Sequence, residues 1–140
     1  MTRNTQFSVA VHLCVALAFR QANGGEGPVS SEELAASVNT NAAYLRRVIA
    51  RLVKAGVLRS QAGKQGGVLL ARAADRVTLA DIYEGLGETT VLPVHLQATN
   101  QHCRVSCGIK HLVEDVARAA QAATLEVLRR TSVAALVQKI

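Results

Sequence analysis

The sequence has no tryptophan and only four other aromatics, Phe7, Phe19, Tyr44 and Tyr83, in 140 residues. A platform that stacks successive bases of a single strand needs several aromatic faces, so that mode of nucleic-acid binding is excluded. Cysteine is scarce too. Cys14, Cys103 and Cys107 make an odd number, too few for the disulfide framework of a secreted domain. No apolar run reaches the roughly 20 residues that a membrane-spanning helix needs. Enzymatic signatures are missing as well: there is no Rossmann glycine pattern, no H-E-x-x-H and no nucleophile elbow. Gly63-Lys64 is followed by Gln65, not Ser or Thr, which excludes a Walker A loop. Cys107 and His111 have i, i+4 spacing, but nothing is placed to orient a thiolate–imidazole pair. The chain reads as a non-enzyme.

What is present is a 14.8 kDa chain that is 49% apolar, enough for one domain with its own core. Sixteen Lys and Arg against ten Asp and Glu give a net charge of +6, and twelve of the sixteen are Arg. The charge is uneven. Residues 1–77 hold ten cations and four anions, and residues 78–140 hold six of each. Between 40 and 76 stand Arg46, Arg47, Arg51, Lys54, Arg59, Lys64, Arg72 and Arg76 against Asp75 alone. Such a field favours a polyanionic partner.

The N-terminal stretch imitates a secretory leader, with Arg3, an apolar run from Phe7 to Phe19, and Ala16-Leu17-Ala18 as a cleavage-like site. The run is interrupted by His12, and it also has helical spacing. Phe7, Ala10, Val11, Cys14, Leu17 and Ala18 share one face, so a core helix over about 5–21 and a cytoplasmic protein are expected. Cys14 on that face is a small buried hydrophobe.

Ser30-x-x-Glu33 is a capping box that opens a second helix. After Asn39-Thr40-Asn41 a third helix carries the inner stripe Leu45, Val48, Ile49 and Leu52, and Gly56 stops it. Two short branched runs, 57–60 and 68–71, flank the glycine-rich tip 61–67 and predict a hairpin. Thr78-x-x-Asp81 opens a short helix, and 86–102 is irregular. A long helix follows, from Arg104 or Ile109 to about Arg130, and Ser132 caps a last short one. On the long helix Ile109, Val113, Val116, Ala120, Ala123 and Val127 repeat at 4, 3, 4, 3, 4. Leu112, Ala119 and Leu125 add apolar surface on another side. One face then serves the helix's own domain and one a partner chain.

Two short helices, a tight turn and a glycine-tipped hairpin follow the winged helix-turn-helix order, in which the second helix of the pair enters the major groove. Tyr44, Arg47, Arg51 and Lys54 form its exposed stripe, flanked by Arg46. Asn41 and Tyr44 lie at the helix start, where base edges are met. Arg47 suits guanine, Arg51 and Lys54 suit phosphate, and Arg59, Lys64 and Gln65 of the hairpin reach the backbone or minor groove. The fold class is mainly α with a small β-hairpin wing and a long C-terminal dimerisation helix. Residues 1–85 make the DNA-binding region, 86–108 a linker with the cysteine pair, and 109–140 the dimerisation segment.

The run SSEELAASVNTNAAYLRRVIARLVKAGVLRSQAGKQGGVLLAR, followed by VTLADIYEGLG, resembles the Rrf-type bacterial winged-helix regulators, the family of IscR, NsrR and CymR. Its most specific parts are Tyr44-Leu45, Ala55-Gly56-Val57-Leu58, Gly66-Gly67 and Val77-Thr78-Leu79-Ala80-Asp81-Ile82. The resemblance implies a homodimer on a palindromic operator, acting as a repressor, with Asn41, Tyr44, Arg47 and the wing tip reading DNA. Two positions depart from it. Ala62 stands where members often carry Arg before the first wing glycine, and Val68 stands where Tyr often follows Gly-Gly.

Cluster-binding members usually carry three cysteines in the region where this chain has Cys103 and Cys107. Three readings stand open. The pair is a redox switch, activated by Arg104 and Lys110. Or it binds an iron–sulfur cluster or metal, with His12 completing the site across a dimer. Or it has no sensor role. A regulator without a cysteine sensor, and an interaction module that no longer binds DNA, are the alternatives for the chain as a whole.

Overall fold

The computed structural model describes residues 5–88 and 90–140, so Arg3 of the leader-like stretch lies outside the described residues. In chain order the elements are α1 (Gln6–Ala22), α2 (Ser31–Val38), α3 (Ala42–Lys54), β1 (Leu58–Gln61), β2 (Gly67–Leu70), α4 (Leu79–Gly85), α5 (Arg104–Arg129) and α6 (Val133–Val137). A 3-10 turn at Ala74–Arg76 precedes α4.

The leader-like run is the central core helix. α1 buries Ala10, Leu13, Cys14, Leu17 and Ala18, and it packs on α2, α3, α4, α6 and β2. Phe7 and Val11, expected on that face, sit at its margin and are only partly buried, while Leu13 is fully enclosed. Among the described residues no helix is long and apolar enough to cross a membrane.

Local chemistry sets the helix ends. Ser30 Oγ accepts from Glu33 N–H at 3.2 Å, and Glu33 Oε2 accepts from Ser30 N–H at 3.3 Å, which closes the capping box of α2. Asn39 ends α2 in the left-handed region at φ 60°, a conformation Asn tolerates, and so makes the turn into α3 tight. Asn41 caps α3, its Oδ1 accepting from Tyr44 N–H at 3.1 Å. At the far end Val57 N–H donates to Leu52 O at 2.9 Å and Gly56 N–H to Val53 O at 3.0 Å. With Gly56 at φ 77°, and Leu52 and Val57 both buried, this Schellman closure throws the chain into β1.

β1 and β2 pair antiparallel, Leu58 opposite Leu70 and Ser60 opposite Val68. Val29 adds a bridge beyond the expected hairpin. Its N–H donates to Val68 O at 3.0 Å, and its O accepts from Val68 N–H at 2.9 Å. Gly67 permits this approach, because a Cβ there would lie 2.2 Å from Val29 O. A single bridging residue has no periodicity, so nothing in the sequence pattern announces it.

Thr78 and Asp81 form the second capping box, at 3.1 and 2.9 Å, and Ser132 caps α6. Leu79 N–H donates to Thr131 O at 3.0 Å and Val133 N–H to Val77 O at 2.8 Å, so the chain returns beside the start of α4 and buries Val133.

α5 begins at Arg104, the earlier of the two expected starts, and takes in the last five residues of the stretch 86–108. The face it turns to its own domain differs from expectation. Ala117 is its one buried residue, and Gln121, Thr124 and Leu128 on the same line are half-buried. Gln121 Oε1 accepts from Val91 N–H at 2.8 Å and from the Tyr83 hydroxyl at 3.4 Å. The docking face is therefore small and polar. Both apolar sides, with Leu112 and Ala119 as well as Ile109 and Val116, are open.

Candidate nucleic-acid interface

α3 stands on α2 through its buried stripe, and at about 100° per residue the opposite direction is occupied by Ala43, Arg47, Ala50 and Lys54. All four are exposed. Tyr44 and Arg51 lie on one flank of this apex and Arg46 on the other. The apex shares Arg47 and Lys54 with the expected stripe and is turned from it by about 50°, toward Ala43 and Ala50. Ala43 and Ala50 were missed because alanine carries no charge signal, yet small residues there would let the helix backbone come close to the floor of a groove. Alanine also suits contact with a thymine methyl group.

The cations on this helix are not equivalent. The Arg47 guanidinium lies over the Tyr44 ring, 5.7 Å from its centroid, so both are pre-ordered on the exposed side. Arg46 is tied back to α2: its Nε donates to Ser31 Oγ at 3.2 Å and its Nη2 pairs with Glu32. Glu32's own backbone N–H, and after it Arg46, hold that carboxyl below the usual carboxylate range. Arg46 thus braces the two helices. Arg51 points the other way, its Nη1 donating to Gln6 Oε1 at 2.9 Å and to Leu86 O at 3.4 Å. Asn41 has its Oδ1 committed to the cap, which leaves its amide N–H₂ for a ligand.

The wing supplies the second surface. Arg59 projects from β1, and Lys64 and Gln65 are exposed at the tip. Among the described residues none of these three is held by a hydrogen bond or ion pair to another side chain. A groove of about 500 Å³ runs between α3 and the hairpin, lined by Ser31, Arg46, Ala50, Lys54, Ser60 and Gln61. Ser60 and Gln61 were also missed, since polar neutral residues in a short strand give no pattern.

The cysteines have separate environments. Cys14 is fully enclosed, and burial pushes its thiol up to about 12. Cys103 is the N-cap of α5, its Sγ accepting from Ser106 N–H at 3.4 Å. Cys107 is exposed in the first turn, its thiol directed at Asn100 O, 3.6 Å away, and Gln101 O, 3.9 Å away. All three are free. Among the described residues of one chain no three His, Cys, Asp or Glu side chains converge as a metal site requires. His12 instead stands at α2, its Nε2 3.2 Å from Ser37 Oγ. Two thiols fall short of the four ligands an iron–sulfur cluster takes, so the donor set of one chain does not fit that group.

These elements define a winged helix-turn-helix protein: a helix pair, a hairpin wing, and a long C-terminal helix leaving the domain. The sequence model of the Rrf2 family, described as iron-dependent transcriptional regulators, matches residues 3–139, and the chain belongs to that family. It is 30% identical over 120 residues to the HTH-type regulator YwnA of Bacillus subtilis, covering 86% of this chain and 85% of that one. It is 35% identical to CymR of the same organism over 72 residues, 51% of each. A solved transcriptional regulator from Lactobacillus plantarum superposes with a TM-score of 0.78 at 25% identity, over 96% of this chain and 88% of that one. The protein is a transcriptional regulator, not an enzyme.

Proposed function

We propose that the chain is a cytoplasmic, homodimeric repressor that reads a palindromic operator and whose DNA affinity answers to oxidation at Cys103 and Cys107. The observation that carries the DNA reading is the Arg47–Tyr44 pair on the exposed side of α3, beside the unpaired cations of the wing. Arg47 takes the base-reading role, while Arg59, Lys64 and Lys54 take backbone. The resemblance to family repressors supplies the sign of regulation.

The sensor reading rests on two accessible thiols at the start of the helix that carries the open apolar face. Cys103 holds the cap of α5, its sulfur a weak acceptor for the Ser106 N–H. A disulfide to Cys107 would draw Cys103 off Ser106 N–H and loosen the first turn, which carries Val105 and leads to Ile109. Peroxide supplies the oxidant: each dithiol loses two electrons and two protons, and one peroxide becomes two waters.

The test is fluorescence anisotropy on a duplex that the wild-type protein selects from a random-sequence pool. Affinity should fall steeply with salt as counterions are released. Arg47→Ala should cost ~1–3 kcal/mol of discrimination at one base position. Unchanged affinity and selectivity in that variant would remove α3 from the recognition role. Peroxide should weaken binding in the wild type but not in Cys103→Ser. Equal responses would leave the cysteines without a sensor function.

A further inference from the structure

We infer that Arg51 is a positioning residue, a clasp that sets the angle of α3 against the start of the segment leading to the cysteines, and not a phosphate contact. The inference rests on the DNA-reading role of α3 proposed above.

Three observations carry it. The Arg51 guanidinium bridges two separate elements through one nitrogen, donating at 2.9 Å to Gln6 Oε1 at the start of α1 and at 3.4 Å to Leu86 O just past the end of α4. Next, the junction it spans is tight. Leu86 is buried, and a Cβ added at Gly85 would lie 3.0 Å from Ala55 Cβ and 3.5 Å from Leu52 Cδ2, so the end of α4 touches the end of α3 directly. Last, the cleft that Arg51 lines, of about 590 Å³, is of mixed charge, with Lys54 beside the carboxylates Glu84 and Glu88, and within it the Arg51 Nη1 is already taken up by two protein oxygens.

The chain leaves the DNA-binding unit at this place. Residues beyond Leu86 run by way of Val91, held to Gln121 of α5, toward Cys103. Arg51 therefore links the recognition helix to the segment that leads from α4 toward α5. Loosening the clasp lets α3 tilt, which damages base readout while leaving non-specific attraction intact.

The experiment measures Kd for two probes, the duplex selected by the wild-type protein and a scrambled duplex of equal length, across a salt series. The variants are Arg51→Ala, Arg51→Lys, Gln6→Ala and Arg47→Ala, each checked for an unchanged melting transition. We expect Arg51→Ala, and Gln6→Ala to a smaller degree, to weaken the selected duplex about threefold to tenfold, the effect of one lost hydrogen bond. The scrambled duplex and the salt slope should stay at wild-type values. Arg51→Lys keeps the charge without the forked geometry and should not restore discrimination. A fold defect alone would weaken both probes together and would not change their ratio. The inference is overturned if Arg51→Ala lowers the salt slope by about one and weakens both probes equally, as a phosphate contact would. It is equally overturned if Arg51→Lys binds like wild type. If Arg47→Ala also has no effect, or the wild type enriches no duplex, the DNA-reading role of α3 falls and the clasp falls with it.

Discussion

Each arginine of α3 has its own job, and the difference comes from what stands within reach of each guanidinium. Arg47 has an aromatic face beneath it, Arg46 has Glu32, and Arg51 has a carbonyl and an amide oxygen. From sequence Arg47 and Arg51 share one exposed stripe with Arg46 on its flank, and all three are expected to face DNA, because charge and helical spacing are legible and side-chain partners are not. Cysteine separates in the same way. Cys14 was legible as a core residue from its position on an apolar face, and burial holds its thiol neutral. Its pKa is raised from 9.0 to about 12, so the folded state holds that proton more tightly than the unfolded state. The resulting stability is complete below pH 9 and is lost as pH rises toward 12. Urea midpoints should fall across that window, and fall less steeply in Cys14→Ala, which loses packing at neutral pH instead. An alkylating reagent at pH 8 should label Cys103 and Cys107 in the folded protein and reach Cys14 only after denaturation. Labelling of Cys14 at the same rate would contradict its enclosure.

Elements were legible where a local code exists. Both capping boxes, the Gly56 stop and the inner stripe of α3 form as their spacing requires, since each depends on residues within one turn. The Val29 bridge was not legible, because it depends on a partner some forty positions away. The docking face of α5 was misjudged for a related reason. Apolar spacing tells how many faces a helix has, not which one its own domain uses. Two glycines test this element-level account with opposite signs. Gly67→Ala places a methyl 2.2 Å from Val29 O and should destabilise the fold by about 2–4 kcal/mol, since strain and the loss of two ladder hydrogen bonds act together. Gly108 lies inside α5 with nothing within 4 Å of an added Cβ. Gly108→Ala should stabilise by about 0.5–1 kcal/mol through helix propensity alone. Denaturant unfolding measures both. A stabilising Gly67→Ala would mean that Val29 does not pair with the wing.

At the scale of the whole molecule the long helix α5 leaves much apolar surface uncovered. α5 has 26 residues, about 39 Å at 1.5 Å per residue, and it lays only one buried side chain against its own domain. Val105 is 69% exposed, Leu112 60%, Val116 65% and Val127 60%. Apolar surface of that extent along one helix is what a second copy covers in the proposed dimer. Dimerisation would also set two α3 helices to meet successive major grooves, about 34 Å apart, and would make the second half-site contact intramolecular. Val116→Glu separates assembly from folding, because Val116 touches little in the single chain and a charge there costs the monomer fold almost nothing. Sedimentation should show monomers with unchanged helical circular dichroism. Affinity for a two-half-site duplex should fall by a factor on the order of 100 or more, while affinity for a single half-site stays the same. A stable dimer in this variant would move the interface off α5. Monomers that bound the full duplex as tightly as wild type would mean that DNA is read by one subunit at a time.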